Sequence, residues 1–80
     1  MHGIVIANPN MLVVRLEDGM YSVVEPMGGY NIEIGDELVG DLETEGSTVL
    51  MNITYDEEID AIIQYVAGNP QDAFRILPAH

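Results

Sequence analysis

Few residues in this chain are of types that could do chemistry. His2 and His80 are the two histidines, one at each end. General acid–base work needs an imidazole held by a partner in a cleft, so these two read as mobile terminal residues. No Ser-His-Asp or Cys-His arrangement can be assembled, and cysteine is absent. Carboxylates gather at Asp41-Glu43-Glu45 and at Asp56-Glu57-Glu58-Asp60. A calcium loop brings oxygens to one point through a D-x-D-x-D-G spacing, which neither group has, so both read as solvated acidic faces. Asn52-Ile53-Thr54 matches a glycosylation acceptor, which a cytoplasmic chain does not use. Gly28-Gly29 is too short to cradle a phosphate, has no lysine after it, and reads as a corner turn. On these grounds we expect no catalytic residue, no metal ligand and no cofactor. What remains is aromatic. Tyr21, Tyr30, Tyr55 and Tyr65, with Arg15, could form a stacking platform of the kind OB barrels present to single strands. Arg15, Tyr30 and Tyr55 are therefore the candidate binding residues; Tyr21 goes to the core on the register argued below.

Charge weighs against nucleic acid. Asp and Glu number 14 against two Arg and no Lys, for a formal charge of −12. A phosphate backbone needs cationic side chains to displace its counterions, and this chain cannot supply them. Binding to anionic lipid is disfavoured on the same ground. The acidity implies either a repulsive, solubilising surface or a complementary basic partner. Eighty residues suit one domain, in which about 60–65% of the unfolded surface is buried. Absence of cysteine excludes disulfide staples and thiolate metal sites and fits a reducing compartment. The N-terminus lacks the basic and apolar regions of a signal peptide. The longest apolar runs, such as Met11-Leu12-Val13-Val14, are far short of the roughly 20 residues a membrane span needs. The expectation is a soluble cytoplasmic protein.

The elements that must position these residues are strands. Met11 to Pro26 is two strand-like runs around Asp18-Gly19. Asp-Gly between alternating apolar runs predicts a two-residue type I′ hairpin loop. That register sets Leu16 opposite Tyr21, Val14 opposite Val23 and Leu12 opposite Glu25. Leu12, Val14, Leu16, Tyr21 and Val23 then share an apolar core face. The other face, with Met11, Val13, Arg15, Glu17, Met20, Ser22 and Val24, is half apolar and should be covered by another element or another chain.

Gly3 to Ala7 is the predicted first strand, joined to the hairpin through the turn residues Asn8-Pro9-Asn10. Pro26 ends the run Tyr21 to Glu25. Ile32-Glu33-Ile34 could be briefly extended. The Gly35-Asp36 turn feeds a fourth strand over Glu37 to Leu42, with a bend at Gly40. Thr48 to Thr54 is the fifth strand. Glu57 to Gly68 is open between two readings. Ile59, Ile62, Ile63 and Val66 have helical spacing, while Ile59, Ala61, Ile63 and Tyr65 alternate as in a strand. Barrel closure favours the strand. A short helix is predicted from Pro70 to Leu77, capped by Asn69 and stopped by Pro78, able to plug a barrel end or cover the outer hairpin face.

The chain resembles a family of small bacterial proteins of about 80 residues with an OB-like barrel and no settled function. Gly3-Ile4-Val5, Met11-Leu12-Val13-Val14, Glu17-Asp18-Gly19-Met20-Tyr21-Ser22-Val23, Gly28, Ile34-Gly35-Asp36, Gly40 and Asn52-Ile53-Thr54 carry the resemblance. It implies a barrel and a strand around Ile59 to Tyr65, and supplies no catalytic residues. The fold expected is mainly β: a small closed or partly open antiparallel barrel of five to six strands, OB-like or alternatively SH3-like, with a short C-terminal helix. The function expected is non-enzymatic, an interaction module that binds a protein partner or pairs with itself. Single-stranded nucleic-acid binding is the alternative.

Overall fold

A computed structural model describes residues 1–8 and 11–76. Pro9 and Asn10 of the predicted first turn, Leu77 and Pro78 of the predicted helix end, and His80 lie outside the described residues. The chain forms β1 (His2–Ala7), β2 (Leu12–Leu16), β3 (Tyr21–Pro26), β4 (Glu37–Val39), β5 (Gly46–Asn52), β6 (Glu57–Ala67) and α1 (Pro70–Ile76). The six strands close an antiparallel barrel in the order β1-β2-β3-β6-β5-β4. It is two three-stranded meanders, β1-β2-β3 and β4-β5-β6, joined along the β3–β6 and β1–β4 seams. Residues 27–36 pass from one meander to the other without a helix.

The central hairpin forms, but its register is one residue away from the Asp-Gly expectation. Arg15 pairs with Tyr21, Val14 with Ser22, Val13 with Val23 and Leu12 with Val24. The loop is Glu17-Asp18-Gly19: Leu16 N–H donates to Met20 C=O at 2.8 Å and Gly19 N–H to Leu16 C=O at 3.0 Å. A two-residue type I′ loop needs positive φ at both centres, whereas here Gly19 alone has it, at +90°. The Asp18 carboxylate accepts the Met20 N–H at 3.0 Å, which ties the turn without forcing a side chain into the left-handed region.

The shift turns β3 over. Leu12, Val14 and Leu16 point inward as expected, but Val24 joins them in place of Val23, and Ser22 also faces in. Val23 lies outside the ring with Val13, beneath Ala67 and Ala73, and Tyr21 packs half-buried against that outer group. The half-apolar outer face is therefore covered from within the chain, by α1. Asn69 caps this helix, accepting the Asp72 N–H at 2.9 Å on Oδ1, as its sequence position predicts.

Inside the ring, Val5, Leu12, Val14, Leu38, Leu42, Leu50, Ile59 and Ile63 form the main core. The contested segment is a strand: Ile59, Ala61 and Ile63 point in, and closure with β3 and β5 on either side satisfies its backbone. β4 is shorter than Glu37 to Leu42. It ends at Val39 because the chain bends at Gly40 (φ +148°), which lets Leu42 drop into the core. β5 runs Gly46–Asn52 rather than Thr48 to Thr54, because Thr54 turns to bond Glu37. Ile32 to Ile34 forms no strand; Ile32 is anchored in the core and Gly35 and Asp36 bond back to Val5.

Candidate functional site

Three places on the barrel gather polar or exposed apolar side chains. The first is a polar latch at one barrel end. Asp36 and Asn52 are buried, and Asn52 Nδ2 donates to Asp36 Oδ2 at 2.9 Å. The same oxygen accepts the Glu33 N–H at 2.9 Å, and Asn52 Oδ1 accepts the Thr54 N–H at 3.1 Å. Thr54 Oγ1 in turn accepts the Glu37 N–H at 2.9 Å. The Ile34-Gly35-Asp36 and Asn52-Ile53-Thr54 motifs thus meet in space and hold β4 against β5. This is a structural use of residues that the sequence offered as motifs. Buried polar groups must be paired, and here they are paired with each other.

The second place is a hollow of about 240 Å³ on the outside of β1, β2 and β4, lined by His2, Ile4, Arg15, Glu17 and Glu37 among others. His2 Nδ1 meets the Glu37 carboxylate, and the His2 N–H donates to Glu17 Oε1 at 2.9 Å. Arg15 lies exposed across from Ile4 on one side and Tyr21 on the other. These contacts pin the first strand at its start. His2 is therefore held at the surface by Glu37 and Glu17, not free as its terminal position implied.

The third is an outer groove of about 350 Å³ running from the end of β3 across β6 to β5. Met27, Val49, Ile62 and Asp60 line it, with Ser47, Thr48 and Ala61 between them. Its geometry follows from the ladder. Pro26 has no N–H to give, so β3 stops there, and Met27 N–H makes one last bond to Asp60 C=O at 2.8 Å. The Asp60 N–H donates to the Tyr30 hydroxyl at 3.0 Å, which replaces the strand that has left. Asp60 directs its backbone bonds toward β3, so the Val49–Asp60 pair across β5 and β6 is of the non-hydrogen-bonded kind, whose side chains stand closest. An apolar floor thus sits beside a carboxylate. Met27 and Val49 are more than half exposed. Among the described residues no cation lies within ion-pair distance of Asp60.

The binding candidates Arg15, Tyr30 and Tyr55 do not come together. Tyr21 and Tyr65 pack against the cluster beneath α1, and Tyr30 packs half-buried against the main core. Tyr55 stands at the β5–β6 turn, where its hydroxyl donates to Glu33 Oε1 at 2.5 Å. The hydrogen bond to Glu33 raises the Tyr55 phenol above its ordinary 10.0, because ionisation would give up that bond and also place two negative charges in contact. Arg15 has only Tyr21 as a cross-strand aromatic neighbour. No stacking platform results. Sequence patterning does not mark the groove residues Met27, Val49, Asp60 and Ile62. The one available signal is that β5 and β6 carry apolar residues in both alternation sets.

The acidic groups scatter along the β4–β5 loop and the start of β6. Among the described residues no three His, Asp or Glu converge as a metal would require. Asp18 and Glu43, from the β2–β3 turn and the β4–β5 loop, lie close enough to shift each other's titration. The Met20 N–H and then Glu43 hold Asp18 below its ordinary value, while Asp18 raises Glu43. No helix among the described residues is long and apolar enough to cross a membrane. No protein-family model, curated protein or solved structure matches the chain, so what stands behind any reading of function is the barrel and its surface.

Proposed function

We propose that the protein is a non-enzymatic interaction module whose partner is a basic protein. The observation that carries this reading is the combination, on a chain of charge −12, of an exposed apolar groove with an unpaired carboxylate at its edge. Like-charged surfaces repel their own copies and attract cationic ones, with complementarity setting encounter rate and partner choice. Self-pairing through the outer hairpin face loses its original motive, since α1 already covers that face. Stacking on single strands loses its motive too, because the tyrosines are dispersed and no cationic groove accompanies them.

The test is titration with a lysine-containing peptide by calorimetry at low salt and at about 0.15 M, where exposed charges are screened beyond about 8 Å. Saturable one-to-one binding that survives at the higher salt supports the reading. Attraction that never saturates, or that vanishes on screening, removes it.

A further inference from the structure

Resting on that reading, we propose that the groove is a slot for a single lysine or arginine side chain presented by the basic partner. The slot has the two features such a side chain asks for. Its floor, made by Met27, Val49 and Ile62, is apolar and open, so it can cover the methylene stem of a long basic residue. Its edge carries Asp60, placed where the charged head of that residue would arrive. The chain supplies no head of its own there. It has no lysine, Arg75 stands on α1 against Asp72, and Arg15 lies on the outer face of β2.

The carboxylate is also well positioned. Its backbone is held from one side by Met27 N–H and the Tyr30 hydroxyl. From the other it is held by the pairing of β6 with β5. Two further carboxylates flank it on the same outward face, Glu58 two residues earlier and Glu25 opposite Ile62. Glu25 is oriented by Gln64, whose Nε2 donates to it at 2.6 Å. A cation entering the groove therefore meets negative potential on both sides while its stem leaves water. An anionic or purely apolar occupant would use the floor but meet repulsion, or nothing, at the edge.

The experiment follows amide signals by NMR during titration with two peptides of equal charge. One carries lysine; in the other each lysine is replaced by diaminopropionate, whose stem is shorter by three methylenes. Both are titrated at about pH 5, where the diaminopropionate ammonium, made more acidic by its neighbouring amide groups, keeps its charge. The expected result is that shifts concentrate at Met27, Ser47 to Val49 and Asp60 to Ile62. The short-stem peptide should bind about tenfold more weakly, for roughly half burial of the missing methylenes. Val49→Ser and Asp60→Asn, both at exposed positions, should each weaken the lysine peptide severalfold and leave the rest of the spectrum in place. Equal binding of the two peptides, with shifts spread over the acidic surface, overturns the slot while leaving the basic-partner reading standing. Failure of both peptides to bind overturns the reading as well. Self-association abolished by Arg75→Gln would assign the groove to a second copy and also overturn the proposal.

Discussion

Replacing Asn52 by Asp tests the polar latch with almost no change of shape. The new oxygen would sit where Nδ2 now sits, 2.9 Å from Asp36 Oδ2, and both side chains are buried. Two carboxylates that close cannot both ionise, so the pair must hold one proton. The cost of holding it at neutral pH sets the size of the effect. An unfolded aspartate titrates near 3.9, and each pH unit above that costs about 1.4 kcal/mol, so Asn52→Asp should lose about 4 kcal/mol at pH 7. The sign follows from linkage. The pair's folded pKa is raised, so its contribution is fully present below the unfolded value and is lost as pH rises through the folded one. Near pH 4 the variant should then lie within about 1 kcal/mol of the parent. For a chain of this length the whole stability is about 4–12 kcal/mol, so the variant stands near the edge of folding at neutral pH. Urea unfolding of both proteins at several pH values gives the difference directly. A loss that is the same at pH 4 and pH 7, or below about 1 kcal/mol at pH 7, would refute the direct Asn52–Asp36 contact.

Other substitutions probe other contacts. Glu43→Gln should raise stability over the parent at neutral pH and not below pH 4.5: Glu43 is raised from 4.5 by Asp18, so its contribution is present in acid and lost as pH rises. Asp18 works the other way, its lowered value giving stability above 3.8 that disappears as pH falls, which thermal melts of Asp18→Asn against pH would show. Tyr30→Phe strips the acceptor from the Asp60 N–H and should cost about 1 kcal/mol in denaturant unfolding, with faster exchange of that amide. Gly3→Ala would bring a methyl to 2.5 Å from Val14 Cγ1 inside the barrel and should cost about 1–3 kcal/mol by overpacking.

The architecture was legible because most of the strands carry a signal. The β-branched run Gly3 to Ala7 and the alternating Leu12 to Leu16 do lie in strands, whereas for Ile59 to Ile63 alternation stood level with helical spacing and barrel closure decided. The register of β3 was not. Ser22, Val23 and Val24 are all fully buried, one face by the ring and the other by α1, so hydrophobic alternation had nothing to decide with. The turn then chose, and the Asp18 carboxylate on Met20 N–H favoured the three-residue loop. Strand ends were misjudged where a single backbone feature intervened, as at Gly40 and Thr54. The candidate groove was illegible for another reason. It is made by residues of β5 and β6 with Met27 just past the end of β3, and the departure of the chain at Pro26 creates it only once β6 is in place.

The ring's seams are unequal, and this bears on the order in which the chain assembles. Each meander can zip from its own turns, but between the meanders β1 and β4 pair only from His2–Val39 to Ile4–Glu37, whereas β3 and β6 pair from Tyr21–Ala67 to Pro26–Ala61. Long-range pairing costs loop entropy that a long seam repays better than a short one. The β3–β6 seam is thus where the two sheets first dock, and the brief β4 ribbon, with the N-terminal strand beside it, is the last stave set into the cask and the first to work loose.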